Sequence, residues 1–157
     1  MTGMYEFLLT VHVLAAVLWV GGGVTLHILI RRALRLPDAR ARHEAVVQLE
    51  WVGAKFFPFF SIALIVAAIL LVTREEGGWE FEQTFIQIGL TGWIISFLIG
   101  IGFYEREGNK RTDLVEAEGP DSPAVASSLR RTAMVNSFEL LLLVLVVVAM
   151  TTKPGWP

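Results

Sequence analysis

Long apolar runs broken by a few polar positions alternate along this chain with short charged connections. Four such runs cover about 5–30, 51–73, 84–104 and 133–151. Each reaches the roughly 20 residues that an α-helix needs to cross the ~30 Å hydrocarbon core of a bilayer. Backbone inside lipid must satisfy its own hydrogen bonds, which excludes open strands. The pattern predicts an all-α membrane protein, a single domain over 1–157 folded as a four-transmembrane-helix bundle.

Composition strengthens that reading. The chain is 54% hydrophobic with a mean hydropathy of +0.59, too apolar for an ordinary soluble domain. The first 30 residues lack a basic leading segment and a small-residue cleavage site, so they read as a span and not as a cleaved signal peptide. Cysteine is absent, which removes disulfides, thiolate metal sites and thiol catalysis. A formal charge of -2 argues against a nucleic-acid partner; the expected surroundings are the lipid bilayer, with a homo-oligomer as the expected assembly if the chain forms a pore.

The sign of the connections orients the spans. Residues 31–50 carry Arg31, Arg32, Arg35, Arg40 and Arg42, and residues 105–131 carry Arg106, Lys110, Arg111, Arg130 and Arg131. The 74–83 connection has Arg74 against Glu75, Glu76, Glu80 and Glu82. Lys and Arg mark the cytoplasmic side while acids count for little, so the expectation is N-out/C-out in a bacterial cytoplasmic (inner) membrane. Trp79 and Trp156 then fall at an outer aromatic belt and Trp51 at an inner one. His43, Val46, Val47 and Glu50 have helical spacing after the break at Pro37. Gly108, Gly119, Pro120 and Pro123 predict a loop through most of 105–131, with a short helix before Arg130.

Small residues speak to packing. Gly89, Gly92, Ser96 and Gly100 recur every three or four residues and predict a close helix seam. Gly21, Gly22 and Gly23 read either as a local thinning of the first span or as room for a flat cofactor ring. Pro58 predicts a kink near the start of the second span.

The polar residues inside the spans are where chemistry is expected, because a bilayer makes each one costly. They are His12, His27, Lys55, Gln87 and Glu139. His12, Ala16, Trp19, Gly23 and His27 lie within about 80° of one another on a helix, and the two His are about 22 Å apart along it. They therefore belong to two sites. At the outer depth His12 has Trp19 and Gly23 on its face and Gln87 and Met150 as expected neighbours. A His and a Met from facing helices can be the axial ligands of a haem iron, with His12 as the metal ligand; a lone His can equally hydrogen-bond Gln87 or a backbone carbonyl. At the inner depth His27, Lys55, Asn136 and Glu139 are expected to converge. There the readings are a Lys55–Glu139 pair that locks helices, a Lys55 that reaches for the interface, or a proton or substrate site. No H-E-x-x-H, G-x-S-x-G or phosphate-binding glycine loop occurs. Enzymatic activity is not expected; if present, it would be that of a membrane oxidoreductase.

The segment "TVHVLAAVLWVGGGV" resembles the opening helix of the copper-resistance protein D family and of the four-helix membrane protoporphyrinogen oxidases. With the "WEFEQ" outer connection and the "TTKPG" end, the chain is most similar to a related group, small four-helix integral membrane proteins of unassigned function. The resemblance to the oxidases implies haem b on the first-helix His, here His12, and matches Pro58 in "KFFPFFSIAL" to the proline of their second helix. The third span, "QIGLTGWIISFLIGIGFY", departs from the oxidases in having no Lys or His for a second ligand or a base. Copper is a weaker candidate ligand, through Met1, Met4 and His12, since flexible Met is a common filler. Three functions are thus expected in order: haem b binding with redox activity, proton, ion or small-solute permeation by an oligomer, and an accessory structural subunit without chemistry.

Overall fold

The computed structural model describes residues 2–155. It is built from α1 (Thr2–Ala33), α2 (Ala39–Val72), a short 3-10 turn (Glu75–Gly77), α3 (Thr84–Ile99), a π-helical segment (Gly100–Tyr104), α4 (Glu105–Glu118) and α5 (Pro123–Thr152). No strand occurs among the described residues. Four helices are long and apolar enough to cross a membrane, the third being the continuous run Thr84–Glu118. The helices of the bundle are 30 to 35 residues long, or about 45–52 Å at 1.5 Å per residue, well beyond a ~30 Å core. The excess projects at the Arg-rich end. There the start of α2, all of α4 and the start of α5 form a layer beneath the spans.

This layer corrects the loop expected over 105–131. The third span runs on as helix to Glu118, carrying Gly108 inside it at the modest cost glycine imposes. Only the turn after Glu118 is irregular: Gly119 adopts φ 86°, and the Ser122 hydroxyl accepts from the Val125 amide at 3.2 Å with Pro123 opening α5. At the other connection, Asp38 accepts from the Ala41 amide at 2.6 Å and caps α2, so the expected helical spacing past Pro37 is present from Ala39. Ala33, Val46, Val125 and Leu129 form the buried apolar core of the layer. Beside them Arg111, fully buried, donates to Glu50 and to Thr132 at 3.1 Å, and Arg131 pairs with Glu107 at 2.8 Å.

Within the bundle α1 packs on α2 and on α5, and α3 packs on α5. Missing side chains permit these approaches. A Cβ on Gly22 would stand 2.8 Å from Phe57 Cε1, and one on Gly53 would stand 3.3 Å from Leu26 Cδ1. Of the glycine triplet, Gly22 thus receives a ring of the protein's own, Phe57, while Gly21 faces open space. Gly89 receives Met150 and Gly92 receives Val146, so the small-residue stripe of α3 is a seam with α5 as far as Ser96. Gly100 faces open space instead. Pro58 stands inside α2, which continues through it to Val72.

The opposite end is tied by aromatic contacts. Trp79 Nε1 donates to the Tyr5 hydroxyl at 3.1 Å, Phe85 meets the Trp79 ring edge-on, and Lys153 Nζ lies 4.3 Å from the ring centroid. Tyr5, near the start of α1, and Lys153, just past α5, thus sit with Trp79 at the end away from the arginines. Trp156 and Met1 lie outside the described residues. Trp51 is exposed, as an interfacial anchor would be.

Candidate functional site

Glu139 lies about 20 Å along α5 from its end at Thr152, and Ser96 lies about 18 Å along α3 from Thr84. The two therefore meet at one depth, and the Ser96 hydroxyl donates to Glu139 Oε1. The second carboxylate oxygen, Oε2, accepts from the Tyr104 hydroxyl at 2.9 Å. Asn136, one turn before Glu139, hydrogen-bonds the same tyrosine oxygen. His27 of α1 completes the chain, its Nδ1–H donating to Asn136 Oδ1 at 2.8 Å. Five side chains from α1, α3, α5 and the π segment are thus joined through one carboxylate.

Tyr104 reaches this carboxylate because of the π segment. Ser96 and Tyr104 are eight residues apart, which on an uninterrupted α-helix turns them about 80° away from each other. A π turn absorbs one extra residue, or about 100° of rotation, and leaves them about 20° apart. Gly100 and Gly102, with nothing within 4 Å of either Cβ position, are the weak points at which the helix widens. The tyrosine side chain then points back toward the N-terminus of its helix, as helical side chains do, and spans the turns up to Glu139.

The expected inner cluster is brought together in part. His27, Asn136 and Glu139 share the network. Lys55 does not: it lies exposed on α2, and among the described residues it forms no ion pair. The reading of Lys55 and Glu139 as a locking pair is corrected accordingly, with hydroxyls holding the carboxylate and Lys55 placed to run along lipid to the interface. Ser96 and Tyr104 are the members that sequence reasoning missed. Ser96 was readable only as part of the packing stripe, and Tyr104 only as the end of a span.

Hydroxyl partners decide what this site can do. A Lys or Arg can only donate, whereas a hydroxyl donates or accepts. Ser96 and Tyr104 can donate to a carboxylate and, by rotating, accept from a carboxylic acid, so both protonation states of Glu139 keep hydrogen-bond partners. An amide does not release a proton as a hydroxyl does, so Asn136 holds His27 and Tyr104 in place and does not relay. Toward the Arg-rich end the acids are held by arginines, Glu50 by Arg111 and Glu107 by Arg131.

The outer candidates do not converge in this way. His12 donates through Nδ1 to the Leu64 carbonyl at 3.2 Å, which leaves Nε2 as the free nitrogen. An axial imidazole is oriented by such a bond, made through the ring nitrogen that faces away from the metal, and it is also the lone-His alternative anticipated from the sequence. Trp19 is buried, and Gly23 faces Leu143 Cδ1 at 3.8 Å. Met150 is seated on Gly89 of α3 while His12 turns to α2. Gln87 lines an open groove between α3 and α5. No group of three or more metal-binding His, Asp or Glu occurs among the described residues. His12 alone of these residues has a ligand's geometry, so the donor set fits haem in its first ligand only.

Residues 6–154 match the family of predicted integral membrane proteins designated DUF2269. The chain belongs to that family. No curated protein and no solved structure matches it.

Proposed function

We propose that this member of the predicted integral membrane protein family is a proton-handling permeation protein of the bacterial cytoplasmic membrane, with Glu139 as its intramembrane proton-binding group. One observation carries the reading: a carboxylate inside an apolar span is held by two hydroxyls and by no cation among the described residues. Charge buried without a counter-ion costs several kcal/mol, and intramembrane carboxylates of this kind mark proton relays. Ser96 and Tyr104 orient the group in both protonation states. Asn136 and His27 hold Tyr104 from the far side and fix α1 against α5.

The test is proton flux in liposomes containing a pH-sensitive dye, driven by a potassium diffusion potential. The wild-type protein is expected to carry flux and Glu139→Gln to abolish it. Flux that is the same in the two proteins sinks the reading.

A second reading rests on a different residue. His12, with Nδ1 fixed to the Leu64 carbonyl, is oriented as an axial ligand for haem b, in line with its first-span motif. A bound haem b would supply one-electron redox chemistry there. A Soret band in protein purified from haem-replete cells, lost in His12→Ala, is the expected result; a colourless wild-type preparation refutes it. If neither flux nor colour is found, the polar residues act as interhelical glue, as in an accessory subunit.

A further inference from the structure

The groove between α3 and α5 encloses about 400 Å³ and opens toward lipid. Its walls are aliphatic, from Ile88, Ile95, Leu145 and Val146, but its outer half carries the Gln87 amide and the Thr91 hydroxyl. Both side chains are exposed, and neither makes a hydrogen bond with any described residue. Thr91 is unusual in this. Thr10, Thr25 and Thr151 each donate to the carbonyl four residues earlier, at 2.8, 2.9 and 3.0 Å, which is how a hydroxyl is ordinarily satisfied in a membrane helix. Thr91 lies about 10 Å below the start of α3, and Gln87 one turn above it. In hydrocarbon, an amide and a hydroxyl left open on one face lose far more than they would in water.

We propose that this face is the interface of a twofold homodimer, the groove of one copy receiving α3 of the other. Two copies inserted with the same topology place equal residues at equal depth, and a twofold axis along the membrane normal sets Gln87 facing Gln87. A primary amide carries both donor and acceptor, so it is complementary to itself, which an isologous interface requires. The aliphatic walls, from Ile88, Ile95 and Leu145, supply the packing. Interhelical Gln pairs are a recognised glue in bilayers. The dimer does not depend on the role given to Glu139, because it uses another face of α3 and is read by assembly instead of flux.

The chain has no cysteine, so single cysteines report directly. Thr91→Cys, reconstituted at low protein-to-lipid ratio and treated with a short thiol-to-thiol cross-linker, is expected to double in mass from 17.4 kDa. Phe59→Cys, on the most lipid-exposed part of α2 at 69% exposure, is expected to stay single. Gln87→Leu introduced beside Thr91→Cys should lower the dimerisation constant about tenfold, the size of one interhelical polar contact. A Thr91→Cys protein that remains monomeric, or a Phe59→Cys protein that cross-links equally well, overturns the proposal; the first result would assign the groove to lipid or another amphiphile.

Discussion

Tyr104→Phe removes one oxygen and nothing else, and its consequence can be worked from the geometry. The hydroxyl donates to Glu139 Oε2 at 2.9 Å and accepts from Asn136. Without it, one carboxylate oxygen has no donor and one amide has no acceptor. A hydrogen bond to a charged group contributes about 1.5–3 kcal/mol in a soluble protein. Interhelical polar interactions in bilayers average about 0.6 and reach about 1.7 kcal/mol, because the unfolded reference state in lipid also finds partners. Removing both hydrogen bonds at once therefore predicts a destabilisation of about 1–2 kcal/mol. Paired with Glu139→Gln in a double-mutant cycle, the coupling should be about 1 kcal/mol, since an amide at 139 accepts from Tyr104 less strongly than a carboxylate does. Reversible unfolding in mixed detergent micelles, followed by the fluorescence of the five tryptophans, measures all four corners. Additivity within about 0.3 kcal/mol would refute the claim that the π segment delivers Tyr104 to Glu139. The same variant tests function separately: wild-type flux in Tyr104→Phe would make the tyrosine a helix contact and not an orienting group.

Three further outcomes follow from interactions elsewhere. Arg111→Ala strands Glu50 in the layer at the Arg-rich end, where the guanidinium is fully buried, and should cost about 3–5 kcal/mol; Arg111→Met with Glu50→Leu should recover most of it in the same unfolding assay. Gly22→Leu drives a side chain into Phe57 and should cost about 1–3 kcal/mol, relieved in Gly22→Leu with Phe57→Ala. Lys55→Met, on an exposed position, should shift stability by no more than about 0.5 kcal/mol; a destabilisation of several kcal/mol would restore an ionic partner for Lys55.

The spans, their number and the placement of both ends away from the arginines were legible because hydropathy and the Lys/Arg bias act locally and additively along the chain. The α3 stripe was legible as far as Ser96 for a similar reason: three- and four-residue spacing fixes a face before any partner is known, and Gly100 left the seam because the π segment begins there. The α4 extension was not, because Gly108 in a polar run reads as a loop. What holds it helical is tertiary, the buried Arg111 bonds to Glu50 and Thr132 and Leu114 and Val115 packed on the layer's core.

The site failed to be legible for a sharper reason. His27, Asn136 and Glu139 share one depth from helix rise alone, while charge complementarity points from Glu139 to Lys55. That step assumed that a buried acid seeks a base, whereas hydroxyls in reach satisfy it without desolvating a second charge. Ser96 was visible but was absorbed by the packing stripe; it serves both ends, being small enough for the seam and polar enough for the carboxylate. Tyr104, at the end of the third span, would face away from Ser96 under constant 100° steps. The signal was present in Gly100 and Gly102, two glycines that the α3–α5 seam does not use and that leave room for the turn to widen. In α3 these two glycines mark the place where the helical phase slips, so Tyr104 beyond them takes a face that constant steps from Ser96 do not give it.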